Sequence, residues 1–251
     1  MQKLPREYSY EGGRWYYKNL PIVATSTCPT HGSYPSVYRK PDGSLASIDE
    51  KRCPFCYAKE RFERELKRSM IPPRFQNKTI ESYETPEMWQ AKARTTIQTY
   101  IDNLEENLEK GRNIILIGGV GTGKTHLSIG LLKAVIQNGG IGMFITASDL
   151  FMNIRDTWTR TSEISTLERV QQFVDLDLLV IDEVGVQRGT DNEREILFSI
   201  INSRYNNLKP TVLLSNLSLK EVRAYIGERT FDRLKEDGGQ IIVLNGDSYR
   251  K

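Results

Sequence analysis

One segment of eight residues constrains the fold of this 251-residue chain more than any other. It fits the pattern G-x-x-x-x-G-K-[ST], whose glycines let the backbone close around a polyphosphate. The eight residues are Gly118, Gly119, Val120, Gly121, Thr122, Gly123, Lys124 and Thr125. The apolar run 113–117 before them predicts a buried strand, and the periodicity of 126–137 predicts a helix. A strand that leads into a helix N-terminus presents free backbone N–H groups, so this segment predicts a phosphate-binding loop.

Three side chains of this segment have distinct expected roles. Lys124 is expected to hold the β and γ phosphates, and the Thr125 hydroxyl is expected to bind Mg²⁺. His126 follows in the first helical turn, where we interpret it as a packing or phosphate-proximal residue. The loop therefore predicts a nucleoside polyphosphate with Mg²⁺ as its ligands.

A second motif, which is acidic, completes the predicted nucleotide site. The run 177–183 is a buried strand that ends in Asp182 and Glu183. Asp182 lies at the carboxyl end of the strand, where open α/β sheets bind ligands, and is expected to accept from the Mg²⁺ shell. Glu183 is suited to act as general base toward an attacking water. The acidic pair therefore favours hydrolysis over transfer to a small molecule.

Further polar residues are candidates for the same site. Asn216 follows the buried strand 211–215 and is placed to orient water, although a turn asparagine is an equal alternative. Arg229 and Arg233 lie four residues apart on one predicted helical face, and arginine stabilises charge in phosphoryl transfer. Surface ion pairing remains the alternative for both arginines.

Composition restricts the class and location of the protein. Hydrophobic residues make up 38% and charged residues 27% of the chain, which is typical of a soluble globular protein. No run approaches the roughly 20 apolar residues of a membrane helix, and the first residues lack the apolar core of a signal peptide. We therefore expect a cytoplasmic protein with no membrane partner. Residues 1–74 carry 14 Lys/Arg and 8 Asp/Glu, so either an acidic partner or a solvated surface suits this part.

All three cysteines lie in the N-terminal part, together with one of the two histidines. They form a C-x₂-H pair and a C-x₂-C pair whose spacing is typical of a tetrahedral zinc site. The expected ligands are Cys28, His31, Cys53 and Cys56. Four protein ligands leave no open position, so this zinc is expected to be structural, and unliganded reduced cysteines are the alternative.

The pattern of elements predicts an α/β protein of two domains. We expect a zinc-binding module over 1–60, a helical linker over 61–74 and an ATPase domain over 75–251. The module is expected to be irregular and strand-rich, with turns at Gly12-Gly13, Pro35 and Pro41-Asp42-Gly43. The ATPase domain is expected to form a five-stranded parallel sheet. Its strands are predicted near 113–118, 141–146, 177–182, 211–215 and 240–244.

Three helix boundaries have local signals. A helix over 57–70 is expected to end at Ile71-Pro72-Pro73, because proline removes a backbone donor. Thr85 is expected to cap a helix that runs to about Gly111. Thr190 with Glu193 resembles a capping box that opens a helix through about Asn206.

Together these segments resemble the AAA+ ATPases of the DnaC type, the bacterial and phage helicase loaders. The resemblance covers about residues 70–251. Its matching segments are Pro73 to Phe75, Gly118 to Leu127, Leu178 to Gln187, Leu214 to Asn216, Gly227 to Arg233 and Asp247 to Arg250. The run Ile181 to Gln187 and the Gly-Glu-Arg-x-x-Asp-Arg segment are more specific than the phosphate loop.

The resemblance implies that the nucleotide is ATP, and it implies roles that spacing alone does not show. Asn216 looks like sensor 1 and Arg250 like sensor 2. Arg233 looks like the arginine finger that acts on a neighbouring subunit's ATP, with Arg229 as the weaker candidate. An oligomer whose sites lie between subunits is therefore implied. The family also binds single-stranded DNA, and its DNA-contacting insertion corresponds to 146–160. The cationic and aromatic residues there are Arg155, Trp158 and Arg160.

Two departures from the family bear on function. The chain stops one residue after Arg250, so we expect no C-terminal helical lid. The N-terminal part does not match the mostly helical N-terminal domain of the bacterial loader. The leading hypothesis is a replication factor that loads the replicative DNA helicase. The alternatives are a transposition helper ATPase of the IstB type and a zinc-bearing binding module that uses ATP as a slow switch.

Overall fold

Two units, Met1–Glu65 and Leu66–Lys251, make up the chain. A computed structural model describes the ranges 8–11, 14–48, 53–159 and 161–246. The predicted turn at Gly12-Gly13 and the predicted functional residues Arg160 and Arg250 lie outside the described residues.

Antiparallel strands in chain order form the sheet of the first unit. The strands are β1 (Tyr8–Glu11), β2 (Arg14–Tyr17), β3 (Leu20–Cys28), β4 (Gly32–Arg39) and β5 (Leu45–Ser47). The turn predicted at Pro41-Asp42-Gly43 is present, and the N–H of Gly43 donates to the Lys40 carbonyl at 3.0 Å. The turn predicted at Pro35 is wrong, because this proline lies inside β4 opposite Thr25. The register shifts next to Thr25, and such an irregularity tolerates a residue without an N–H donor.

The helix predicted over 57–70 is α1, which spans Pro54–Arg68. It begins earlier than predicted because proline is well tolerated in a first helical turn, where N–H groups have no intrahelical partner. It ends before Met70, whose φ of 56° is left-handed and incompatible with a continuing helix. The Pro72-Pro73 pair therefore follows a helix that has already ended.

The second unit contains the predicted five-stranded parallel sheet, in the order β10-β6-β9-β8-β7. Its strands are β6 (Ile114–Gly118), β7 (Gly142–Thr146), β8 (Leu178–Asp182), β9 (Thr211–Ser215) and β10 (Gln240–Leu244). Residues of the three central strands are buried almost completely, as in a sheet covered on both faces. The strand that carries the phosphate loop and the strand that carries the acidic pair flank β9, so three predicted site segments end side by side.

Two helices, α2 (Met88–Asp102) and α3 (Leu104–Glu109), precede the first strand of this sheet. The helices that connect its strands are α4 (Lys124–Gln137), α5 (Ala147–Arg155), α6 (Thr166–Val174), α7 (Asp191–Asn206), α8 (Leu219–Ile226) and α9 (Glu228–Lys235). The capping box of Thr190 and Glu193 at the start of α7 is confirmed. Within the described ranges, no helix combines the length and the apolar character that a membrane span requires.

The cap predicted at Thr85 is wrong. The helix begins at Met88, after Glu87, whose N–H donates to the buried Gln90 side chain at 2.9 Å. Gln90, three residues after Glu87, accepts a hydrogen bond from the backbone N–H of Glu87 and so completes a capping box. This capping box places the start of the helix after Glu87. The predicted single helix is also interrupted at Asn103, where φ and ψ of −108° and 33° leave the helical region.

The buried guanidinium of Arg204 connects helix α7 to the parallel sheet. Arg204 is fully buried on α7 and donates to the carbonyls of Leu176 at 2.9 Å and Pro210 at 2.6 Å. These carbonyls precede β8 and β9. Burial lowers the pKa of Arg204, but several acceptors in contact satisfy the charged group. Arg204 therefore fixes the amino ends of the strands whose opposite ends form the site.

Candidate functional site

The backbone between β6 and α4 forms a loop that only glycine permits. Gly121 and Gly123 have φ values of 79° and 95°, in the left-handed region that other residues avoid. Helix α4 begins at Lys124, directly after Gly123. The N-terminal N–H groups of α4 therefore face the loop, as phosphate binding requires.

Lys124 is folded over this loop. Its side-chain Nζ donates to the carbonyl oxygens of Gly118 and Gly119, each at 2.7 Å. The residue is only 6% exposed. A buried ammonium at the mouth of a glycine loop is a point charge suited to a phosphate.

The two predicted magnesium ligands are in direct contact. The Thr125 hydroxyl donates to Oδ2 of Asp182 at 2.8 Å, although the residues are 57 positions apart. Asp182 is buried at the end of β8, and its Oδ1 accepts from the N–H of Glu183 at 2.7 Å. A carboxylate and a hydroxyl together offer the oxygen ligands that magnesium prefers.

Glu183 and Asn216 follow the ends of adjacent strands. Both residues are exposed. Glu183 has a φ of 59°, a left-handed conformation that costs a residue other than glycine about 1–3 kcal/mol and is found most often at functional sites. Asn216 comes directly after β9, which lies between the strands of the loop and of Asp182.

The segment Lys78–Glu84 borders the loop and encloses a cavity of about 180 Å³ with it. The Tyr83 hydroxyl donates to the Thr122 carbonyl at 3.1 Å. A side-chain carbon at Gly123 would lie 2.4 Å from the Tyr83 ring. Sequence reasoning missed Tyr83, because 39 positions separate it from Thr122 and no spacing rule links the two.

His126 packs on the same segment. Its Nε2 lies 2.8 Å from the Thr79 carbonyl oxygen, and its ring meets the Tyr83 ring edge to face at 5.2 Å. Burial lowers the pKa of His126, which favours the neutral imidazole. These contacts are those of a packing residue, and the alternative of a phosphate-proximal role for His126 stays a prediction.

The candidate arginine Arg233 contacts two aromatic rings of its own chain. Its guanidinium carbon lies 5.1 Å from the centre of Phe198 and 5.8 Å from that of Tyr205. Arg229 is exposed one turn earlier on α9. Arg233 is half-buried, and stacking of this kind contributes between about 0.5 and 2 kcal/mol depending on desolvation, so the two rings order its guanidinium.

The candidate DNA-contacting residues lie at the end of α5. Arg155 pairs with Glu193 at 3.2 Å, and its side chain remains 42% exposed. Trp158 lies in the turn after α5 and is 53% exposed. An exposed tryptophan three residues from a partly exposed arginine offers a ring on which an unpaired base can stack and a cation for its backbone.

In the first unit, the four predicted metal ligands converge. The ligand atoms of Cys28, His31, Cys53 and Cys56 all lie within 4.8 Å of one another. Zinc–sulfur bonds of about 2.3 Å and zinc–nitrogen bonds of about 2.0 Å at tetrahedral angles separate two sulfurs by about 3.8 Å, and sulfur from nitrogen by about 3.5 Å. Sγ of Cys28 and Sγ of Cys56 are 3.7 Å apart, and Nδ1 of His31 lies 3.4 Å from Cys56. The donor set and its spacing therefore fit a tetrahedral zinc ion.

Two of the four candidate ligands, the thiols of Cys28 and Cys56, have pKa values that are shifted in opposite directions. Backbone donation from Thr30 is the main cause that lowers the pKa of Cys28 to about 6. Burial, with the neighbouring Cys28 sulfur, raises the pKa of Cys56 to about 11. A thiolate is thus favoured at Cys28, and thiolates are the form in which cysteine binds metals.

The glycine loop, the Thr125–Asp182 pair and the parallel sheet together define a class, the P-loop ATP-binding proteins of AAA+ fold. A family model for IstB-like ATP-binding proteins matches residues 55–251, and the chain belongs to this family. The replicative helicase loader DnaC of Escherichia coli strain K12 is 31% identical over 190 residues, which cover 76% of this chain and 76% of DnaC.

Solved structures agree with this assignment. The crystal structure of the DnaC helicase loader matches with a TM-score of 0.62 at 27% identity, covering 69% of this chain and 99% of that one. The crystal structure of DnaI matches with a TM-score of 0.60, covering 72% of this chain and 95% of that one. At 16% identity the DnaI match shows the fold alone. The predicted resemblance to DnaC-type ATPases and the predicted AAA+ fold are confirmed.

The contact between Gly123 and Tyr83 yields a prediction. Gly123→Ala should weaken ATP binding about tenfold or more, because a left-handed alanine costs about 1–3 kcal/mol and its methyl group would meet the Tyr83 ring. Titration of a fluorescent ATP analogue measures the loss. The matched control is Gly119→Ala, where the nearest atoms lie 3.8 Å from the added carbon. Equal affinities of the two variants would contradict this account of the loop.

Proposed function

We propose that this protein is an ATP-dependent replication factor that loads the replicative DNA helicase and hydrolyses ATP at subunit interfaces. The observation that carries the proposal is the contact of Thr125 with Asp182, beside Glu183, in a chain similar to a replicative helicase loader. These residues are a magnesium-binding pair with a carboxylate next to it. A cytoplasmic location is consistent with such a role.

The chemistry proposed for the site assigns one task to each group. Lys124 and the N–H groups of the loop bind the phosphates, and Thr125 and Asp182 hold Mg²⁺. Magnesium, when bound, neutralises charge that develops on the phosphates. Glu183 accepts a proton from the attacking water, and Asn216 orients that water. Arg250, outside the described residues, is proposed as a further contact to the nucleotide.

Arg233 is proposed to complete the site of a neighbouring subunit. Its guanidinium stacks on Phe198 and Tyr205 at the surface of the domain. A cation held by stacking can be transferred to a phosphate because the charged interaction is the stronger one. Arg229, which is exposed on the same helix, is the alternative.

Two surfaces are proposed for partners. Arg155 and Trp158, with Arg160 outside the described residues, are proposed to bind single-stranded DNA through charge and stacking. The first unit is proposed to carry a structural zinc ion on Cys28, His31, Cys53 and Cys56. Because four protein ligands close the coordination sphere, this zinc would stabilise the module rather than catalyse.

The family match also favours a second candidate, a transposition helper ATPase of the IstB type. Both candidates share the nucleotide residues and differ in partner and in the form of DNA. A helper should prefer double-stranded DNA and bind a transposase. A third candidate, a binding module with ATP as a slow switch, requires that Glu183→Gln leave the rate of hydrolysis unchanged.

Capture of the replicative helicase tests the loader function. The purified protein should retain the replicative helicase of its own organism, with an amount that differs between ATP and no nucleotide. Lys124→Ala protein, which should not bind ATP, is the control. It should retain the same amount of helicase with ATP as without nucleotide. Failure to retain the helicase under both conditions, with retention of a transposase instead, would favour the IstB-type alternative.

Hydrolysis in mixtures of variants tests the shared site. Arg233→Ala should bind ATP normally and reduce hydrolysis about 100-fold or more, since an arginine finger contributes at least that much. Adding inactive Asp182→Ala protein should restore part of the activity, because mixed interfaces pair an intact site with an intact arginine. The same experiment with Arg229→Ala in place of Arg233→Ala shows which of the two arginines acts on the neighbouring site. Absence of rescue would mean that each site is complete within its own chain.

Metal analysis tests the zinc proposal. Protein purified without chelator should carry about one zinc ion per chain, and Cys53→Ser should carry none. Removal of zinc should abolish the ordered structure of the first unit while ATP binding by the second unit persists. Limited proteolysis and ATP titration of the same sample separate these two effects. Full-length protein without zinc, but with a protected first unit, would contradict the proposal.

A further inference from the structure

The side-chain amide of Gln187 lies at a junction of the loop that follows Asp182. Its Nε2 donates to the Glu183 carbonyl and to the Ser148 hydroxyl, each at 3.1 Å. Its Oε1 accepts from the Gly185 N–H and from the Tyr225 hydroxyl, each at 3.3 Å. One side chain thus connects the backbone around Glu183 with α5 and α8.

The orientation of this amide follows from its backbone partners. The Glu183 carbonyl can only accept a hydrogen bond, and the Gly185 N–H can only donate one. The NH₂ group of Gln187 must therefore face Glu183, and its oxygen must face Gly185. Burial raises the pKa of Tyr225 to about 12, so its hydroxyl stays protonated and keeps its role as donor.

Glu183 needs such support because its backbone is strained. Its φ of 59° lies in the left-handed region, at a cost of about 1–3 kcal/mol. The Val186 N–H also donates to the Glu183 carbonyl, at 3.3 Å. A strained conformation persists only where neighbouring contacts hold it, and the Gln187 amide supplies one from outside the backbone.

The remaining contacts of Gln187 lead to α5, which carries a residue proposed to bind DNA, and to α8, which precedes the helix of the candidate arginine fingers. Ser148 lies on α5, which carries Arg155 at its end. Tyr225 lies on α8, which leads through Gly227 into α9 and its arginines. The carbonyl of the proposed general base is thereby linked to both elements through a single amide.

We propose that Gln187 is a positioning residue that holds Glu183 in its left-handed conformation through the amide N–H groups. This inference rests on the proposed function, in which Glu183 activates water. Gln187 acts through the backbone of Glu183 and is expected to affect the rate of hydrolysis without affecting ATP binding.

Two near-isosteric substitutions test the inference. Gln187→Leu removes all four hydrogen bonds, and Gln187→Glu keeps an acceptor toward Gly185 and Tyr225 while losing the donor toward Glu183. Both should reduce kcat about tenfold or more and leave the Kd for ATP within about twofold. Tyr225→Phe, which removes only one bond to Oε1, should change kcat less than about threefold. Gln172→Glu adds the same charge on the exposed surface of α6 and should behave as the wild type.

Two results would overturn the inference. One is a kcat of Gln187→Leu within about twofold of the wild type. The other is a parallel loss of ATP affinity and of thermal stability, which would indicate general damage to the fold. Glu183→Gln, measured alongside, distinguishes failure of this inference from failure of the proposed function. If Glu183→Gln abolishes turnover and Gln187→Leu does not, the proposed function stands and this inference fails. If the wild type and Glu183→Gln hydrolyse ATP equally, the proposed function itself fails.

Discussion

The hydrogen bond of 2.8 Å between Thr125 and Asp182 joins the two halves of the nucleotide site. It forms because two parallel strands, β6 and β8, end at the same edge of the sheet with β9 between them. Parallel strands bring their carboxyl ends together, so a phosphate loop after one strand meets an acid at the end of another. Arg204 fixes the opposite ends of β8 and β9 through buried hydrogen bonds. The site therefore depends on the order of the strands as well as on the phosphate loop.

Much of this arrangement is predictable from local sequence signals. Five short apolar runs predict the strands of the sheet, and all five are present. The glycines of the phosphate loop predict left-handed backbone, which Gly121 and Gly123 adopt. The Cys28–His31 and Cys53–Cys56 pairs predict convergence of four ligands, which the structure shows. In each case the signal is carried by short motifs of a few residues.

Other features depend on contacts between distant residues and leave no local signal. The order β10-β6-β9-β8-β7, the packing of Tyr83 on Gly123 and the contacts of Gln187 with Tyr225 are of this kind. Two local predictions failed where a competing contact decided the outcome. Gln90 places the cap of α2 at Glu87 rather than Thr85. An irregular register next to Thr25 accommodates Pro35 within a strand.

Calorimetric titration of the purified protein with ATP, in magnesium and in a chelator, tests the central claim most directly. The claim is that the loop with Lys124 and the Thr125–Asp182 pair form a single site for ATP and magnesium. The account predicts saturable binding of one nucleotide per chain that magnesium strengthens and that Lys124→Ala abolishes. Thr125→Ala should retain binding but lose most of the strengthening by magnesium. Absence of binding in magnesium, or an affinity that is the same in both conditions, would contradict the account.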